Sequence, residues 1–205
     1  MIDTTFWDRI ARKYAKSTIA NIPAYEQTLD HVRRHLRATD TVLEVGCGTG
    51  STALLLAPSV ARYKGTDFSS EMIAIAREKL ADTPLDGLTF DVSAATLDTT
   101  ADQSQDIVLA FNLYHLVPDI AAALNAAHRS LRPGGLLISK SPCLAGKWYL
   151  RPIIKIMQLV GKAPYLRYLS IKDYDAAIKA AGFDIVETAL YSPKTPNRFV
   201  VARKR

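Results

Sequence analysis

Between residues 44 and 50 the chain reads Glu-Val-Gly-Cys-Gly-Thr-Gly, one carboxylate followed by three glycines in five positions. An aliphatic run leads into it and a helix-forming run follows, so the spacing predicts a bare turn between a strand and a helix. With no Cβ in the way, main chain there can approach a ligand closely. A dinucleotide-binding turn, G-x-G-x-x-G, cradles a pyrophosphate on the helix N-terminus and places its third glycine where this chain has Ser51. Asp67, twenty-one positions after Gly46, closes the run "RYKGTD". A carboxylate at that strand tip can accept both hydroxyls of a ribose. Ser69 and Ser70 supply an N-cap for "EMIAIAREKL". Together these residues predict a nucleoside held by its sugar, with something other than a diphosphate over the glycines.

Such residues need a frame. Apolar, β-branched runs alternate with helix-period stretches, which predicts an α/β, Rossmann-like and mostly parallel sheet with helices on both faces. The expected strands are Thr41–Gly46, Arg62–Asp67, Gly87–Val92, Asp106–Asn112 and Leu136–Ser141. Helices are expected over 50–58, 69–81 and 118–131, the last stopped by "RPGG" at Arg132–Gly135. Ahead of the first strand, "FWDRIARKYAKS" sets Phe6, Ile10, Ala11 and Tyr14 on one helical face, and a second helix runs Pro23–Arg37. Near the end, "IKDYDAAIKAAGF" is a helix stopped by Gly182. The strands "FDIVETALY" and "NRFVVARK" follow, and their short connection predicts antiparallel pairing. We expect a single domain over 1–205, with a helical cap at 1–38, a ligand-binding core at 40–141, an insertion at 142–170 and a closing helix and hairpin at 171–205.

A length of 205 residues with 48% hydrophobic content allows a sizeable core. The net charge of +6 is modest and part of it sits at Arg203–Arg205, weak ground for nucleic-acid binding. No run approaches the roughly 18 apolar residues of a membrane span. The first residues lack the apolar centre of a secretory signal. Cys47 and Cys143 offer neither a disulfide framework nor a zinc spacing, and no metal is expected. These features predict a cytoplasmic protein. The insertion is aromatic and apolar, with Ile153, Ile156, Met157 and Val160 on one helical face and Arg151, Lys155, Gln158 and Lys162 on the other. It reads first as a helix packed on the domain, then as an apolar lid over the acceptor, and third as an interfacial helix on an anionic membrane that gives peripheral contact through 147–168.

The segments "VLEVGCGTG", "GTDFSSEMIAIARE", "DIVLAFNLYHL" and "AAHRSLRPGGLLISK" resemble, in order, the motifs of class I S-adenosylmethionine-dependent methyltransferases. The likeness points to the small-molecule branch typified by the ubiquinone and menaquinone C-methyltransferases, and it covers residues 40–141 motif by motif. It implies a seven-stranded sheet whose last strand runs antiparallel. It also implies S-adenosyl-L-methionine as methyl donor, S-adenosyl-L-homocysteine as product, and a small apolar or amphiphilic acceptor. By the same resemblance Gly46, Cys47 and Gly48 lie along the methionine part, and Glu44 fixes the turn and the donor's ammonium. Asp67 takes the ribose, and Phe68 and Met72 pack on the adenine. Ser93 and Ala94 stand where family members carry Asp-Ala beside the adenine amine. Asn112 and Leu113 reach the methionine end, and Tyr14 matches an aromatic that closes over the donor.

Displacement at a sulfonium needs alignment more than it needs a base. His115, with Tyr114 beside it after the fourth strand, is the candidate base should the acceptor need to lose a proton. His115 reads equally well as a helix-start residue packed on the sheet. Lys140, Ser141 and Cys143 are further candidates at the strand tips. Pro142-Cys143 lacks the second Pro-Cys of RNA cytosine methyltransferases. "FNLYHL" replaces the Asp/Asn-Pro-Pro-Tyr of enzymes that methylate amino groups of nucleic acid bases or protein glutamine. Both departures argue against nucleic acid. Two other readings stay open, an NAD(P)-dependent Rossmann oxidoreductase and a non-enzymatic donor-binding domain.

Overall fold

The computed structural model describes residues 4–19, 21–97, 100–191 and 196–205. Residues 1–3 of the expected cap and 192–195 of the expected hairpin connection lie outside them. Seven strands form one sheet: β1 (Thr41–Val45), β2 (Arg62–Asp67), β3 (Leu88–Val92), β4 (Gln105–Phe111), β5 (Leu131–Pro142), β6 (Phe183–Leu190) and β7 (Asn197–Lys204). Their spatial order is β3-β2-β1-β4-β5-β7-β6. Strands β1 to β5 are parallel, and β7 runs antiparallel to both β5 and β6. The chain leaves β1 toward β2 and β3 on one side and later returns to β4 and β5 on the other. That reversal opens a crevice at the carboxyl tips of β1 and β4, where open α/β sheets take ligands.

Seven α-helices are described: α1 (Thr5–Ala15), α2 (Ile22–Arg33), α3 (Ser51–Leu56), α4 (Ser70–Asp82), α5 (Ile120–Ser130), α6 (Arg151–Leu159) and α7 (Ile171–Ala180). One sheet face buries Val42, Tyr63 and Phe199 against Val32, Leu56 and Ile73 of α2, α3 and α4. The other buries Leu43, Val108 and Phe183 against Leu124, Tyr174 and Ile178 of α5 and α7. Because both faces are covered at its centre, a strand such as β4 reads as a continuous apolar run, Ile107–Phe111, rather than an alternating one.

Three local expectations change. The "RPGG" run does not merely stop α5. Leu131 is already extended and pairs with Gln105, and the ladder resumes at Ile107 and Leu136 past an irregularity. In α1 the face against the protein is Trp7, Ala11 and Ala15 on Met72 and Ile75, not the face of Phe6 and Ile10, because α1 docks on α4 rather than on the sheet. The insertion helix α6 buries none of its residues; Ile156 is 62% and Leu159 80% exposed. The packed-helix reading therefore fails.

Candidate functional site

β1 ends at Val45, and the glycine turn carries the chain over the edge of the sheet. Gly46 and Gly48 have φ of +70° and +54°, a region that residues with a Cβ seldom enter. A Cβ at Gly46 would come within 2.8 Å of Leu113 Cδ1, whereas at Gly48 it would meet nothing nearer than Tyr14 Cε1 at 3.9 Å. One glycine is needed for packing, and the other faces open space. That space is a cavity of about 430 Å³ between the tips of β1, β2 and β4, the loop after β3, and α1.

Asp67 braces the turn from the tip of β2. Its Oδ2 accepts the Gly48 N–H at 2.9 Å and its Oδ1 the Ser69 N–H at 3.0 Å. Burial lifts its pKa above the ordinary carboxylate value, and those two amides only partly oppose it. Glu44 is 2% exposed and accepts a bond from the Tyr63 hydroxyl at 2.9 Å. Burial, partly offset by that bond and reinforced by the charge of Asp67, pushes its pKa up to about 7. Among the described residues, no lysine or arginine lines the cavity. Two desolvated carboxylates without a cation beside them favour a positively charged ligand.

α1 forms one wall. Asp8 accepts the Ser69 hydroxyl at 2.6 Å, tying the helix to the N-terminus of α4, while Ser69 caps α4 by accepting the Met72 N–H at 3.2 Å. Tyr14 then hangs over the glycine turn. Burial, aided by the charge of Asp67, raises its pKa, so it stays a neutral phenol.

Of the donor residues named from sequence, Tyr14, Glu44, Gly46, Cys47, Gly48, Asp67, Phe68, Met72, Ser93, Asn112 and Leu113 all line this cavity. Ala94 does not, and Ala95 lines it instead. Ser93 donates its N–H to the Asp67 carbonyl at 2.9 Å, which turns the loop after β3 toward β2.

Tyr114 and His115 are not brought to the cavity, which corrects their assignment as catalytic. A short 3-10 turn over Tyr114–Leu116 turns both into the core. Tyr114 is 1% exposed, with its ring 6.2 Å from that of Tyr174. His115 Nδ1 lies 3.4 Å from Ser141 Oγ, and burial pushes its pKa down to about 4, leaving a neutral imidazole. Lys140 donates to Thr28 Oγ1 at 3.0 Å and Cys143 is buried; neither they nor Ser141 line the cavity. No residue of 142–170 lines it either.

Sequence reasoning missed Trp7, Tyr25 and Thr52, which also line the cavity. Trp7 stands seven positions before Tyr14, two helical turns, and their rings meet edge to face at 6.3 Å; that spacing was a usable signal. Tyr25 and Thr52 meet by their hydroxyls at 3.2 Å across α2 and α3, a contact with no local signature.

Comparison with known proteins agrees with this geometry. Residues 42–135 match the family described as Methyltransferase domain (Methyltransf_25). The chain is 30% identical over 183 residues to the demethylmenaquinone methyltransferase of Oceanobacillus iheyensis, covering 78% of this chain and 76% of that one. It is 29% identical over 154 residues to the ubiquinone biosynthesis O-methyltransferase of Hydrogenovibrio crunogenus, covering 73% of this chain and 64% of that protein's length. Two solved structures share the fold. YcgJ from Bacillus subtilis gives a TM-score of 0.72 at 17% identity, covering 88% of this chain and 99% of that one. A geranyl diphosphate methyltransferase solved with geranyl diphosphate and sinefungin gives 0.74 at 12% identity, covering 88% and 78%. With the glycine turn, the β2 aspartate and the antiparallel β7 all in place, the chain belongs to the class I S-adenosylmethionine-dependent methyltransferases.

Proposed function

We propose that the protein transfers a methyl group from S-adenosyl-L-methionine to a small, apolar or amphiphilic acceptor. One observation carries this reading: Glu44 and Asp67 are both buried in a cavity with no cationic lining. The donor's sulfonium and ammonium outweigh its single carboxylate, so it enters as a net cation, which such a site favours. A dinucleotide would bring its diphosphate into a cavity whose described lining holds no lysine or arginine; Lys79 donates to Thr49 Oγ1 and Ser51 Oγ at the turn but is not among the lining residues. The oxidoreductase alternative therefore lacks support.

In this reading Asp67 accepts the ribose hydroxyls, and the main chain at Gly48 lies along the methionine part. Phe68, Met72 and Ser93 surround the adenine, and Glu44 sits nearest the ammonium together with Asn112 and Leu113. The donor supplies an electrophilic methyl group; the protein supplies alignment and exclusion of water. Trp7 and Tyr14 from α1, with Leu116, Val117 and Pro118 after β4, line the remaining wall. The names of the two curated relatives, for ubiquinone and demethylmenaquinone methylation, support an amphiphilic acceptor. In thermal-shift measurements S-adenosylhomocysteine is expected to stabilise the protein and NADH to leave it unchanged; stabilisation by NADH alone would reverse the choice. Labelled donor incubated with protein and lysate is expected to mark lipid or small metabolites. Label chiefly in RNA would overturn the acceptor class, and no label in any fraction would favour a donor-binding domain without turnover.

The insertion fits the same acceptor class. Trp148, Tyr149, Ile153, Ile156 and Leu159 are exposed, and Lys147, Arg151, Lys155 and Lys162 lie in the same segment. Among the described residues no helix is long and apolar enough to cross a membrane. A basic amphipathic helix of this kind rests in an anionic lipid surface, so we read this segment as a peripheral contact on the cytoplasmic side. The protein is expected to float with phosphatidylglycerol vesicles and not with phosphatidylcholine ones, and Ile153→Glu with Ile156→Glu to stay at the bottom of the gradient. Equal flotation of both proteins would sink the lipid contact without touching the donor site.

A further inference from the structure

A second group of chemistry-bearing side chains lies between α2 and β6. His31 occupies the last turn of α2, and His35 the turn that follows, where its N–H bonds back to the Val32 carbonyl at 2.9 Å. Spaced four apart, their rings face each other with centroids 6.0 Å apart and planes 24° from parallel. Glu187 Oε1 is bonded to His31 Nε2, and Oε2 to His35 Nε2 at 2.9 Å. One ligand atom from each of the three residues lies within 4.8 Å of the other two.

A β-bulge delivers the carboxylate. Ile185 pairs with Ala202 and Glu187 pairs with Val201, which leaves Val186 as an extra residue. Ile185 and Ala202 belong to the core shared with α5 and α7, whereas Val201 and Phe199 belong to the core shared with α2. Strict alternation would keep Glu187 on the face of Ile185. The extra residue moves it, with Ala189 and Tyr191, to the α2 face. There Tyr191 hydrogen-bonds His31 Nδ1 through its hydroxyl, and Phe199 stacks on the His31 ring at 4.4 Å. A metal-bound imidazole characteristically has its rear nitrogen held by such an outer partner.

We propose that His31, His35 and Glu187 form a binding site for one divalent transition ion of the zinc type, with a fourth position open to solvent. Two imidazole nitrogens and one carboxylate oxygen suit zinc; calcium and magnesium take oxygen ligands. Side-chain exposures of 7%, 23% and 41% leave an approach from solvent past Glu187. None of the three ligands lines the donor cavity, so the ion would take no part in methyl transfer there. It would tie α2, whose Tyr25 lines that cavity, to the β6–β7 hairpin. Coordination uses the Nε2 lone pair of each histidine and leaves Nδ1–H of His31 donating to Tyr191.

The test is titration of the full chain with Co²⁺, whose four-coordinate complexes absorb strongly in the visible, followed by displacement with Zn²⁺ and thermal-shift measurement. One equivalent of Co²⁺ is expected to give that band, and Zn²⁺ to erase it and raise Tm. His35→Ala and Glu187→Gln, both at partly exposed positions, are expected to lose the band and the Tm rise while still binding S-adenosylhomocysteine. Tyr191→Phe is expected to weaken Co²⁺ binding by about tenfold. Absence of a saturable band in the unaltered protein would overturn the proposal, as would a band and Tm rise undiminished in both variants. Either result leaves the methyl-transfer reading standing, because that rests on another cavity.

Discussion

Asp67→Ala is expected to weaken S-adenosylhomocysteine binding by about a hundredfold or more, while the protein remains folded. Two charge-assisted hydrogen bonds to a ribose contribute about 1.5–3 kcal/mol each, and every 1.4 kcal/mol is tenfold in affinity. The same change frees the Gly48 and Ser69 amides that Asp67 now holds, so the turn loses its brace as well as its ligand contact. Stability should fall little, because removing a carboxylate whose pKa burial has raised relieves an unfavourable charge. Asp67→Asn keeps one acceptor oxygen and separates the two roles: it should retain part of the brace and lose most of the ribose contact. Isothermal titration with all three proteins decides the matter. Affinity unchanged in Asp67→Ala would remove the nucleoside from this crevice.

The second large effect is on pH. Glu44 has its folded pKa raised from 4.5 to about 7, so the folded state holds a proton that the unfolded chain releases. For such a group stability is fully present below the unfolded value and is lost as pH rises through the folded one. Between about pH 4.5 and 7 the loss accumulates at about 1.4 kcal/mol per unit, roughly 3 kcal/mol in all, and is flat above that. Glu44→Gln should remove this slope and unfold at higher urea concentration at pH 7.5 than the parent. Donor binding should show the opposite trend. A net cation beside Glu44 favours the carboxylate, so binding releases a proton and affinity for S-adenosylmethionine rises with pH between about 5 and 7, by at most about tenfold per unit. The glutamine variant should bind weakly and without that slope. Calorimetry in two buffers of different ionisation enthalpy counts the released proton; none released by the parent at pH 6 would detach Glu44 from the donor.

Much of the fold can be read along the chain, because buried central strands such as Ile107–Phe111 stand out as apolar runs and the others are bounded by turn and cap residues. Arg62–Asp67 is read to the residue, and the first three other parallel strands lie within one residue at each end. The cavity-lining residues are legible for a related reason. Glu44, the glycines and Asp67 sit at strand tips whose positions follow once the strands are drawn, and two adjacent parallel strands bring their tips together. The antiparallel β7 follows from the shortness of its connection to β6.

What tertiary structure alone decided concerns side-chain direction. Nothing local in "NLYHL" says that a 3-10 turn will point Tyr114 and His115 into the core rather than the crevice, since that depends on Tyr174 arriving beside Tyr114 and Ser141 beside His115. The apolar face of α6 looks the same whether a neighbour covers it or not. The sharpest case is Glu187: strand alternation puts it on one face, and a single unpaired residue, Val186, puts it on the other, beside two histidines more than 150 positions away. Composition and spacing determine which segments become strands, helices and bare turns, because those are set by local sterics and burial. Which groups meet depends on register, and one residue of slip in a strand exchanges every partner after it.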